Sequence, residues 1–163
     1  MNKISQLFFG AGLIILSGCA SNIPSQEMSD ARQLTQAALD AGAGKYFPLL
    51  MRQIADQIVN AEQQLAFGDY PEARQQALIV KSEAARARSM TLILIATNEI
   101  VTRAERIARP MSPNPRLILE QAQNAAQNGD EAAALVLAAQ ARHEAERALD
   151  DYYLNLPNSK YSP

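Results

Sequence analysis

Cysteine and histidine each occur once in this 163-residue chain, and tryptophan does not occur at all. A single thiol excludes an intrachain disulfide, so the fold must be held by packing. A single imidazole, His143, excludes any centre that needs two of them. Basic residues are few, with 15 Lys and Arg against 17 Asp and Glu, which argues against the clustered positive surface that nucleic-acid binding draws on. Beyond residue 18 no apolar run approaches the roughly 20 residues that a membrane-spanning helix takes. A Gly-rich phosphate loop is missing too, as is a nucleophilic serine in a recognisable elbow. Neither enzymatic activity nor a cofactor is therefore expected.

What is present begins with the segment around Cys19. Lys3 supplies a positive start, Leu7 to Leu16 an apolar stretch too short to span a bilayer, and small residues follow. Leu16-Ser17-Gly18-Cys19 resembles the bacterial lipobox, in which a peptidase cuts before the cysteine and the thiol carries a lipid. Anchor is preferred over buried thiol or catalytic thiol, because no folded domain is expected around Cys19. That resemblance implies cleavage after residue 18 and acyl chains on Cys19, and each buried methylene would contribute about 0.8 kcal/mol to attachment. It also implies a site: Ala20 and Ser21 stand where an Asp would retain an enterobacterial lipoprotein in the inner membrane. The expected location is the outer membrane, on its periplasmic face.

Punctuation divides the rest. Residues 19–28 read as a lipidated tether, reaching about 30 Å at most when extended. A helix is expected from Ser29, as N-cap, to Ala41, with Gly42 and Gly44 as terminators. Pro48 suits the first turn of a second helix ending at Phe67. Gly68 then fits a left-handed C-terminal position, Asp69 a cap, and Glu72 the far corner of a capping box. From Tyr70 to Arg109 there is no Gly, and the one proline, Pro71, lies in the first turn, so a single helix of about 60 Å is expected. Its run "TLILIAT", residues 91–97, is β-branched, but a lone strand would have no partner. Its apolar girth predicts burial between several helices. Three prolines in "RPMSPNPR", residues 109–116, end that helix. Asn114-Pro115 opens another as far as Asn128, and Asp130 caps a last one running to about Leu156. The domain should occupy residues 29–156, with an unstructured tail over 157–163. The fold class is all-α: helical hairpins of about five helices, one very long, packed as a small bundle.

A weak two-fold repeat runs through this layout. Laying "AEQQLAFGDYPEARQQALIVKSEAARA" on "AQNAAQNGDEAAALVLAAQARHEAERA" places Gly68 on Gly129, Asp69 on Asp130, Glu83 on Glu144 and Arg86 on Arg147. Both segments carry a seam of small residues at alternating spacings of four and three. Ala73, Ala77, Val80, Ala84 and Ala87 form one; Ala134, Ala138, Ala141, Ala145 and Ala148 form the other. The phrase "AEQQLAFGDYPEARQQALIVKSEAARARS", with the upstream "ARQLTQAALDAGAGKYFP", resembles the bacterial envelope lipoproteins grouped as domain of unknown function 4398. The likeness covers residues 29–90 well and implies a location and a helical fold, without an activity. The Gly68-Asp69-Tyr70 turn is also tetratricopeptide-like, although the offset between the two halves is not the 34 residues of that repeat.

Few side chains suggest chemistry. His143 has only Glu146 as a possible co-ligand one turn away, with Arg147 beside it to repel a cation, so no metal site is expected. Asp150-Asp151 reads as a solvated helix end. Tyr70, Tyr152 and Tyr153 are the candidate interaction surface, since exposed tyrosines commonly anchor interfaces. Packing against the bundle end accounts for Tyr152 and Tyr153 equally well. "KSEAARAR" and "RAERIAR" give the long helix a basic bias that could face anionic headgroups, and a solvated, ion-paired helix surface explains it just as well. The reading that follows is a non-catalytic scaffold or adaptor, bound to the membrane through Cys19 and to an envelope protein partner. A module on the membrane surface or peptidoglycan comes second, and a hydrolytic enzyme last.

Overall fold

A computed structural model describes residues 23–107 and 114–155. Cys19 and its lipobox, the first part of the tether, the core of the proline-rich link and the 157–163 tail lie outside the described residues. Six helices and no strand are found among those described: α1 (Ser25–Asp40), α2 (Ala43–Tyr46), α3 (Pro48–Phe67), α4 (Tyr70–Ile107), α5 (Pro115–Gln127) and α6 (Glu131–Leu154). The all-α expectation holds.

Helix α4, at 38 residues, is about 57 Å long and serves as a spine. Its N-terminal half packs against α1 and α3, its C-terminal half against α5 and α6. Ion pairs give the directions: Glu27–Arg74 and Asp30–Lys81, both 2.8 Å, set α1 parallel to α4. Arg86–Glu131 and the Arg103–Tyr153 hydrogen bond set α6 parallel to it as well. The α5–α6 hairpin thus stands end to end with the α1–α3 pair, and Leu49 at the start of α3 lies under the Gly129 turn. Short α2 fills the joint and touches α1, α3, α4 and α5.

The seams read from the sequence are the inside of this bundle. Ala73, Ala77, Val80, Ala84 and Ala87 are fully buried, as are Ala134, Ala138, Ala141 and Ala145, while Ala148 is half-buried. Alanine at these positions lets helix axes approach closely. Larger side chains gather at the joint and in the upper half, with Phe47, Ile54, Leu94, Val101 and Leu119 buried. The two turns are built alike. Asp69 N donates to Gln64 O and Gly68 N to Leu65 O; Asp130 N donates to Ala125 O and Gly129 N to Ala126 O. Gly68 and Gly129 have φ of 80° and 84°, a region that favours glycine. Their likeness stops there, because Arg86 pairs with Glu131 on another helix whereas Arg147 pairs with Glu144 one turn back on its own.

Several expectations are corrected. Helix α1 starts at Ser25, inside the stretch read as tether, and Ser29 is an interior residue, not a cap. Pro24 and Met28 are buried; with Ala31 and Ala38 they continue the apolar stripe one turn earlier than Ser29 suggested. Gly42 does end α1, but Gly44 sits inside α2. Asp69 accepts the Glu72 N–H at 3.3 Å, yet Glu72 takes its own hydrogen bond from Gln76. That leaves half a capping box, because Asp69 N already serves the α3 terminus. Finally, "TLILIAT" is helical but not enclosed: Thr91, Leu94 and Thr97 are buried, whereas Leu92 and Ile93 are 43% and 45% exposed.

Candidate functional site

The polar-aromatic groups singled out in the sequence do not form one surface. Tyr70 is half-buried at the start of α4. Tyr152 and Tyr153 stand near the end of α6, beside Arg103 close to the other end of α4. About 50 Å of helix separates the two positions. At the upper end the Tyr152 and Tyr153 rings meet edge to face, centroids 5.5 Å apart at 75°. Arg103 Nη2 donates to the Tyr153 hydroxyl at 3.2 Å. Tyr152 is 37% exposed, Tyr153 47% and the next residue, Leu154, 82%. The pair is therefore presented to solvent, with the Tyr153 hydroxyl held by Arg103. Arg103 opens the basic stretch "RAERIAR", but nothing local placed it beside Tyr153, since it lies on a different helix.

The same end is strapped by Arg116, which the sequence did not mark. Its guanidinium donates to both carboxylate oxygens of Glu105 (3.0 and 2.6 Å), to Asn98 Oδ1 (2.7 Å) and to Thr102 Oγ1 (2.9 Å). The hydrogen bonds from Arg116 hold the Glu105 carboxyl below its ordinary range, and Glu105 raises Arg116 in return. Asp30 is lowered likewise by the hydrogen bonds from Lys81 and Gln26. These groups fasten α5 and α1 to the spine.

His143 is exposed on α6, where neighbouring Arg142 takes Glu146 in an ion pair at 2.7 Å. Glu146, the co-ligand suggested for a metal, is thus engaged. Among the described residues no group of three or more His, Cys, Asp or Glu converges to hold a metal ion. Asp150 and Asp151 are exposed on the last turns of α6. An open depression of about 390 Å³ lies along the outer face of α4, lined by Pro71, Arg74, Gln75, Leu78, Ile79 and Ser82.

Residues 26–102 match the family model described as Domain of unknown function (DUF4398). The matched segment, residues 26–102, belongs to this family. The DUF4398 match runs from α1 through most of α4, further than residues 29–90, and leaves the α5–α6 hairpin outside it. No curated protein and no solved structure matches the chain. Within the DUF4398 segment lie Tyr70 and the depression on α4; the Tyr152–Tyr153 pair belongs to the hairpin beyond it.

Proposed function

We propose that this protein is an envelope lipoprotein, anchored through Cys19 at the periplasmic face of the outer membrane, and that it acts as a non-catalytic scaffold or adaptor for another envelope protein. The exposed Tyr152–Tyr153 pair carries the adaptor reading. Exposed aromatic side chains commonly anchor interfaces, and Tyr153, whose hydroxyl already accepts from Arg103, loses less freedom on binding than an untethered ring. Leu16-Ser17-Gly18-Cys19, outside the described residues, supports the anchor.

The other readings have less support. A membrane-surface or peptidoglycan module would use the cations of α4, of which Arg74, Lys81 and Arg86 are engaged by Glu27, Asp30 and Glu131, while Arg88, Arg103 and Arg106 are exposed. A hydrolytic enzyme that works through a carboxylic acid would need that group held protonated, whereas Asp30 and Glu105 are lowered by hydrogen bonds from Lys81 and Arg116.

Two measurements test the proposal. Labelled fatty acid should enter the wild-type protein and not Cys19→Ala; label persisting in that variant would remove the anchor. Crosslinking in intact cells should capture an envelope protein. Replacing Tyr152 and Tyr153 together by Ala should weaken that capture while helical circular dichroism is unchanged, and His143→Ala should complement a deletion strain fully. Loss of complementation by a folded, membrane-bound His143→Ala would favour the enzyme over the adaptor.

A further inference from the structure

We infer that the α3–α4 turn, with Phe67 at its tip, rests on the lipid bilayer, so that α4 stands away from the membrane and the Tyr152–Tyr153 pair is held at the far end. This inference rests on the anchoring of Cys19 proposed above and adds which surface meets the lipid. Its starting point is the corrected start of α1. With Pro24 buried and Ser25 helical, only four peptide steps separate Cys19 from Ile23, a reach of about 14 Å when fully extended. Whatever lies beside Ile23 must then lie close to the anchoring bilayer.

The neighbour of Ile23 is the α3–α4 turn. Helices α1 and α4 run parallel, and Glu27, one turn after Ile23, pairs at 2.8 Å with Arg74, one turn after Tyr70. That end of the molecule presents large apolar groups to solvent: Phe67 is 83% exposed and Ile23 58%, with Ala66, Gly68 and Pro71 also exposed, and the exposed polar residues Ser25, Gln26, Gln63 and Asp69 around them. Open space surrounds Gly68, where an added Cβ would meet nothing within 4 Å. Of the two acids of the turn, Asp69 is exposed and accepts the Glu72 N–H, while Glu72 is half-buried and accepts from Gln76. An aromatic ring at a headgroup boundary gains from burying its apolar body, which gives the exposed Phe67 an occupant suited to it.

Because the chain has no tryptophan, one substitution introduces a unique probe. The mature lipoprotein, its acyl group verified by mass, is placed in phosphatidylethanolamine and phosphatidylglycerol vesicles containing brominated phosphatidylcholine. Phe67→Trp should lose at least half its emission, and Leu92→Trp, on the outer face of α4, and Tyr153→Trp should keep theirs. An acylated but unquenched Phe67→Trp overturns this inference and leaves the anchor standing. Quenching of Leu92→Trp overturns it in favour of a molecule lying flat. An unmodified Cys19 removes the anchor and this inference together.

Discussion

Ala84→Asp and Ala145→Asp should each cost the fold about 3 kcal/mol or more, read from urea denaturation followed by circular dichroism. Both alanines are fully buried in the seams of α4 and α6, where helix axes lie too close for a carboxylate to reach water. Burial raises the carboxyl of such an aspartate above its unfolded value of about 3.9. The carboxyl is protonated in both states below that value, so the electrostatic part of the penalty vanishes there. It grows as pH rises towards the folded value and is constant above it. Ala85→Asp, one residue along on the exposed side of α4, should change stability little. Equal midpoints for all three variants would show that these seams are not closed.

Phe47→Ala should be the most damaging truncation, at about 3–5 kcal/mol. Phe47 is the largest fully buried side chain described, 1% exposed, and it sits at the corner between α2 and α3. Its backbone carbonyl accepts the Met51 N–H at 3.0 Å and its own N–H donates to Ala43 O at 2.8 Å. The corner is therefore fixed, and the space left by the ring has little freedom to collapse. Because α2 touches both the α1–α3 pair and α5, the loss should lower one shared unfolding transition. A second, separate transition in Phe47→Ala would contradict the joint described for α2.

The helices and turns whose signals are local were legible. Gly68, Gly129, Asn114 and Asp130 act where their chemistry places them, with Asn114 and Asp130 accepting the N–H groups of Arg116 and Ala133 at 2.9 Å each. The alternating spacing of small residues located the core, because only a helix puts those positions on one face. What escaped was of two kinds. Helix α2 is a single turn and too short to show any period. The exposure of Leu92 and Ile93 depends on where α4 passes from one set of partners to the next, and no window of its own sequence records that. At the candidate site, the tyrosines were visible as residue types. Their separation across the length of α4, and the Arg103 beside one of them, follow from parallel packing of helices distant in sequence.

The spine has one more consequence, for cooperativity. Among the described residues, helix α4 is the long element that packs against both the α1–α3 pair and the α5–α6 hairpin. If the α5–α6 hairpin came away, the upper half of α4 would be left as a solitary helix with Leu94, Val101 and Ala104 uncovered, and isolated helices of such length are marginal in water. Fraying would then run down α4 towards the α1–α3 pair instead of halting at the joint. The free energy that protects the amides in the middle of α4 is thus drawn from both ends at once, and neither end can open without loosening the other.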